Sequence, residues 1–145
     1  MLADTLSNVR VLDLTQNIAG PFCTEILSDF GAEVVKVERP GSGDDTRAWR
    51  PPEIGGESAT YLALNRNKKS ICVDVSRAEG IDVIKSLARR ADVMIHSLRP
   101  GSAEKRGLGY ETLAADNPAL VYCAISAFGE SGPLRNLPGY DPLLQ

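Results

Sequence analysis

Five short apolar runs, each closed by a loop of turn-forming and polar residues, constrain this chain more than any other feature. They are Val9 to Leu14, Glu33 to Glu38, Ser70 to Val75, Val93 to His96 and Leu120 to Ile125. Runs of this length bounded by Gly, Pro, Ser and Asn are strands, and the stretches between them carry helical spacing. Strands that alternate with helices build a mostly parallel sheet with helices on its faces, joined by right-handed crossovers. At 145 residues there is room for one domain, residues 1–145, and one substantial core.

The helical stretches have local signals of their own. After the first strand, Gly20-Pro21 opens a helix whose apolar positions are Phe22, Ile26, Leu27 and Phe30, and Gly31 suits the left-handed position that ends it. Arg39 to Gly56 is so dense in turn formers that no regular element is expected there, and a short helix is expected over Ser58 to Leu64. Ser76 and Glu79 have the spacing of a capping box, ahead of a helix with Ile81, Ile84, Leu87 and Ala88 on one face.

Composition narrows the class of ligand. A net charge of -3 argues against general nucleic-acid binding, and 43% hydrophobic with 24% charged residues is the balance of a soluble globular protein. No apolar run reaches the roughly 18 residues of a membrane span, and the first ten residues lack a targeting pattern. Cys23, Cys72 and Cys123 are odd in number and form no CxxC, so a reducing, cytoplasmic setting without a disulfide framework is expected.

In an open parallel sheet, ligands bind beyond the carboxyl ends of the strands. The loops that matter are therefore Thr15 to Gly20, Arg39 to Asp45, Ser97 to Gly101 and Ser126 to Gly129. They supply hydroxyls, amides, glycines and the cations Arg39 and Arg99, an inventory that suits a phosphate-bearing ligand. Ala19-Gly20, at the start of a helix, is either an anion seat or simply the tight turn any such fold needs. Glu38 resembles the acid that grips a ribose in nicotinamide-binding units, but Gly20 is the single glycine between Leu14 and Phe22, and GxGxxG is absent. A GxxxxGK[ST] loop is absent too. His96 is the one histidine, expected to end a strand as a partly buried, hydrogen-bonded group, so neither a triad nor a metal site is expected. Asp13, inside an apolar strand, reads as structural, and Asp44-Asp45 as a solvated turn or helix start.

Taken together, Val11-Leu12-Asp13-Leu14-Thr15, Ala19-Gly20-Pro21 and the run from Gly31 to Asp44 resemble class III CoA-transferases. Asn65-Arg66-Asn67-Lys68-Lys69-Ser70, Arg99-Pro100-Gly101, Gly107 to Glu111 and Asn117-Pro118 continue the resemblance in order and spacing. It implies a Rossmann-like large domain, of which this is the N-terminal part, in subunits that interlock as a homodimer. It also implies CoA or an acyl-CoA as substrate, with a carboxylic acid as partner and no tightly bound cofactor. Gln16, Asn17, Ile18, Ala19 and Arg39 match positions near the CoA nucleotide. Val73, Ser76, Ser97, Leu98, Arg99 and Lys105 match further positions of the CoA site. Ser97-Leu98 replaces the family's Asn and aromatic residue, and Lys105 replaces an arginine, keeping charge but losing the planar fork.

The resemblance implies an aspartate nucleophile that forms an anhydride and then an aspartyl-CoA thioester. That residue lies downstream of Gly139-Tyr140-Asp141, so no catalytic residue is expected within the chain, and Asp141 is not a substitute. Three readings stay open: part of a longer transferase, a truncated product with an unseen partner, and a non-catalytic CoA-binding or assembly module. Racemases of the family carry histidine where Tyr140 stands. Tyr140 is therefore expected either to contact substrate or cofactor in a transferase, or to pack a loop against the sheet.

Overall fold

The structure is a computed structural model and describes residues 4–140 and residue 143. Its centre is a five-stranded sheet of β1 (Arg10–Leu14), β2 (Glu33–Glu38), β5 (Lys69–Cys72), β6 (Val93–His96) and β7 (Val121–Ala124). The spatial order is β5-β2-β1-β6-β7, and all four pairings are parallel. The chain starts at β1, builds outward to β2 and β5, then returns to place β6 on the other side of β1. The order therefore reverses between β1 and β6.

Alternation along each strand divides the core between the two faces. Leu12, Leu14, Val37 and Met94 point to the face covered by α3 (Ala78–Ala88), α4 (Ser102–Lys105) and α5 (Tyr110–Asp116), where they meet Ile84, Ala88, Ala103, Leu108 and Leu113. A fully buried Leu or Ile contributes about 1.5–3 kcal/mol each, so this face carries most of the apolar stabilisation. The opposite face is smaller, with Val11, Val34 and Ile95 meeting Ala32, Cys23 and Leu27 beneath α1 (Ala19–Asp29).

Helix α1 departs from its expected apolar face. Leu27 packs inward, but Phe22 and Ile26 are exposed, and the side turned to the sheet carries Gly20, Thr24, Glu25 and Ser28. The reason lies beneath it, where β1 and β2 present Asp13 and Lys36 rather than apolar groups. The helix ends as its glycine requires: Gly31 has φ 98°, Gly31 N–H donates to Ser28 O and Ala32 N–H to Leu27 O, the paired bonds of a Schellman motif.

Three further expectations need correcting. The stretch before Gly56 holds a 3-10 turn, Asp45–Ala48, and an antiparallel hairpin of β3 (Glu53–Ile54) and β4 (Glu57–Ser58), whose Gly55-Gly56 turn has φ of 60° and 83°. Ser58 caps α2 (Ala59–Asn65) by accepting the Tyr61 N–H. The capping box at Ser76 does not form. Asp74 accepts both the N–H and hydroxyl of Ser76, ending β5 early, and Arg77 occupies the cap position without a side-chain bond. Helices α4 and α5, between Gly101 and Leu120, were not foreseen. Among the described residues, no helix is long and apolar enough to cross a membrane.

Candidate functional site

Asp13 and Lys36 stand directly opposite each other in the β1–β2 register. Each turns instead to a partner from another element: Lys36 Nζ lies 2.8 Å from Asp44, and Lys68 Nζ lies 3.4 Å from Asp13. All four side chains are within 1% of full burial. Buried charges are tolerable only when their remaining bonds are met. Asp13 accepts bonds from the Thr15 N–H at 2.8 Å and the Thr24 hydroxyl at 2.6 Å. Lys36 donates to Thr15 O at 3.0 Å, and Lys68 to Pro21 O and Asn65. Burial nonetheless pushes the Lys68 ammonium down to about 8, with Asp13 opposing. For Asp44, burial works against ionisation, but the bonds from Lys36 and Thr46 leave its pKa below the ordinary value.

This buried floor holds the loops above it. Asp44 also accepts the Asn17 N–H at 3.2 Å and the Thr46 N–H at 2.9 Å, so the loop after β2 fixes the loop after β1 with Asn17 at φ 66°. Asp44 is thus a buried anchor that caps the 3-10 turn, not a solvated residue, whereas Asp45 is about half exposed. Gly20 sits so close to Thr15 that a Cβ would come within 2.2 Å of the Thr15 side chain, which assigns this glycine to helix-on-strand packing. Ile18, at the N-cap of α1, provides no side-chain acceptor for the first-turn N–H groups.

Glu38 is consumed internally. Arg47 grips it with bonds of 2.7 and 2.8 Å, and Tyr61, Ser70 and the Asp44 N–H add three more. Burial opposes ionisation, yet these donors hold the carboxyl far below the usual range. It has no capacity left for a ribose. Arg47, Lys36 and Lys68 are residues that sequence reasoning missed. For Lys36 the signal was a lone charge inside an apolar strand, as with Asp13 in the strand before it, whereas Arg47 and Lys68 lie in connecting segments and carried none. The Asn65 to Lys69 segment is likewise spent on structure, with Arg66 pairing Glu25 and Asp29 on α1.

Because every strand of the main sheet runs the same way, the loops singled out from sequence share one edge. At the reversal of strand order, the Gln16 N–H donates to Ser97 Oγ at 3.2 Å, joining the loops after β1 and β6. Ile18 and Ala19 are exposed beside them. Arg39, about half exposed, donates to Gly43 O and pairs with Asp45. Arg99 is exposed and is not engaged in the ion pairs of this edge, Arg39 with Asp45, Arg47 with Glu38 and Lys36 with Asp44. Lys105 lies farther out on α4, in a cleft of about 450 Å³ shared with Pro100, Glu104, Glu130 and Arg135.

The remaining expected residues lie apart from this crevice. Leu98 turns its side chain into the core. Val73 also packs on the core and borders a separate depression at the end of β5, two strands from β1, near exposed Ser76. Tyr140 is 62% exposed, while its neighbour Gly139 abuts Ala127 of the loop after β7 so closely that a Cβ would lie 2.0 Å from it. Asp141 lies outside the described residues.

A parallel sheet whose strand order reverses at a bridged pair of loops defines an α/β domain of the doubly wound class. More narrowly, the chain belongs to CoA-transferase family III, whose description it matches over residues 6–145. It is 50% identical over 136 residues to the succinyl-CoA:glutarate CoA-transferase of Homo sapiens, covering 94% of this chain and 31% of that protein. It is 45% identical over 138 residues to the succinyl-CoA--D-citramalate CoA-transferase of Chloroflexus aurantiacus, covering 95% and 34%. Among solved structures, a CaiB/BaiF family protein from Brucella suis matches with a TM-score of 0.91 at 42% identity, over 97% of this chain and 38% of that one. The chain spans about a third of the length of the curated relatives it matches.

Proposed function

We propose that this chain forms the CoA-binding portion of an acyl-CoA:carboxylate CoA-transferase, acting as an interlocked homodimer in its full-length form. The observation that carries the reading is the bridged crevice at the strand-order reversal, flanked by Arg39 and Arg99 and roofed by the uncapped start of α1. A diphosphate-bearing ligand laid across it meets guanidinium groups and free backbone N–H groups at once. An aspartate beyond Gln145 then attacks the acyl-CoA thioester to give a mixed anhydride and free CoA thiolate. The thiolate attacks the aspartyl carbonyl, expelling the donor acid and leaving an aspartyl-CoA thioester. The acceptor carboxylate attacks that thioester, and the thiolate it frees opens the new anhydride to give the new acyl-CoA, while this portion orients CoA. Dicarboxylic acids are the favoured acceptor class, because the relatives named above act with succinyl-CoA and a second dicarboxylic or hydroxydicarboxylic acid.

Titration calorimetry with CoA is the test. Arg39→Ala removes a charge-assisted contact of roughly 1.5–3 kcal/mol, so affinity is expected to fall ten- to hundredfold. Asp45→Asn should act in the opposite direction. It releases Arg39 from an exposed ion pair, and such pairs hold by only about 0.2–1 kcal/mol, so a modest tightening of CoA binding is expected. Unchanged affinity in a folded Arg39→Ala protein would remove Arg39 from the site.

A further inference from the structure

His96 closes β6 and is the one histidine of the 145 residues. Its residue surface is 4% exposed. Nδ1 accepts the Leu98 N–H at 3.2 Å, so it carries a lone pair, and the proton of the neutral ring resides on Nε2. Nε2 is buried without a partner among the described residues. The ring stands edge-on to Tyr122, with centroids 5.1 Å apart, and the Tyr122 hydroxyl is itself fixed by donating to Leu108 O.

A leucine would fill this place without leaving a donor unmet, so the imidazole needs a reason to be there. The reason is on its other nitrogen. Leu98 belongs to the loop that carries Ser97, whose hydroxyl receives Gln16 across the strand-order reversal, and the exposed Arg99. We propose that His96 is a positioning residue for this crevice: its Nδ1 lone pair holds Leu98, and through it Ser97 and Arg99, in the bridging conformation, and protonation of the ring releases the loop. The consequence for ligand affinity rests on the CoA reading above, whereas the control of the loop does not.

The titratable and charged groups facing the ring are Tyr122 from β7, Glu104 from α4 and Glu130 beyond β7, while β1 places Leu14 opposite it in register. Burial lowers the imidazole pKa, with Glu104 and Glu130 opposing. The neutral form is the one that accepts the Leu98 N–H. The loop is therefore held at neutral pH and released as pH falls below the ordinary value of 6.5, through the depressed folded one.

A lone histidine gives one unambiguous set of imidazole nitrogen resonances, so the tautomer can be read directly by NMR. At pH 7.5 a protonated Nε2 and a bare Nδ1 are expected. Amide exchange at Leu98, corrected for its intrinsic pH dependence, should accelerate about tenfold as the ring protonates, the effect of losing one hydrogen bond. His96→Asn, whose carbonyl oxygen can stand near Nδ1 and does not titrate, should keep Leu98 protected at every pH. His96→Gln, which leaves Leu98 without that acceptor, should exchange fast at every pH, and CoA affinity should follow the same pattern by calorimetry. A proton on Nδ1, or Leu98 protection indifferent to pH and to His96→Gln, would overturn the proposal. Should the variants not fold, the wild-type tautomer and pH course decide it alone. A loop that behaves as expected in a chain that does not bind CoA would sink the CoA reading and leave this one standing.

Discussion

Lys36 is the residue whose removal should be felt most, because its ammonium is enclosed between the Asp44 carboxylate and Thr15 O with no route to water. Lys36→Met keeps the aliphatic length and strands Asp44 as a buried, unpaired anion, a change that typically destabilises by about 3–5 kcal/mol. Adding Asp44→Asn should recover part of that loss. The neutral amide still offers an oxygen to the Asn17 and Thr46 N–H groups. Urea unfolding of the two single variants and the double variant checks this, and a Lys36→Met loss below about 1 kcal/mol would refute the buried-pair account. The Asp44 contribution is fully present above its ordinary value of 3.8, and acid removes it as pH falls through the lower folded value. Sequence made half of this floor visible. An aspartate within Val11-Leu12-Asp13-Leu14 has no exit to solvent and reads as structural, whereas a lysine within Val34-Val35-Lys36-Val37 can in principle extend its amine past the strand end. What decides between those fates is a loop that returns eight residues later with Asp44, and tertiary closure of that kind leaves no periodic trace.

At the scale of elements, legibility followed how local the determining physics is. The bounds of β2 and β6 agree with expectation, because each is a short apolar run with a turn former close behind, and Gly31 ends α1 by a rule confined to six residues. The face of α1 was not legible, since it depends on what lies beneath the helix. Nor was the cap of α3, where Asp74 outcompeted Ser76 by folding its carboxylate back on the Ser76 N–H and hydroxyl. That Asp74 turn yields a prediction with an inverted sign. Gly80 lies in the first turn of α3, and replacing a helical glycine with alanine ordinarily stabilises by about 0.8–1.0 kcal/mol. Here a Cβ would fall 2.0 Å from the Asp74 carbonyl oxygen and 2.7 Å from its carbon, both backbone atoms. The strain of forcing them apart, typically about 1–3 kcal/mol, outweighs the propensity gain, so Gly80→Ala should lower the melting temperature. A higher melting temperature would show that the turn does not approach α3 this closely.

Viewed as a whole molecule, one edge of the sheet gathers the ligand-facing loops, and the carboxylates at the carboxyl ends of β1 and β2 and in the loops after them are already engaged. Asp13 and Asp44 face buried ammonium groups, Glu38 is surrounded by five donors, and Asp45 pairs with Arg39. A nucleophilic carboxylate must reach a thioester carbon, and Asp13, Glu38 and Asp44 are buried away from any such approach while Asp45 is turned to Arg39. The 145-residue chain, incubated with succinyl-CoA and a panel of dicarboxylic acids, should therefore show no covalent acyl or CoA adduct by mass spectrometry. A form extending past Gln145 should show one. The same extended form can distinguish transfer from racemisation when given a chiral 2-methylacyl-CoA in deuterated water. Exchange at the α-carbon needs a base poised near neutrality, and imidazole, near 6.5, qualifies where a phenol near 10 does not. The single imidazole of this chain is buried at the carboxyl end of β6 with Nδ1 committed to Leu98, and Tyr140, which the family resemblance aligns with the histidine of its racemases, is a phenol. The expected result is passage of CoA to the added acid with the α-hydrogen retained, and rapid deuterium incorporation with loss of stereochemistry would overturn the transferase reading.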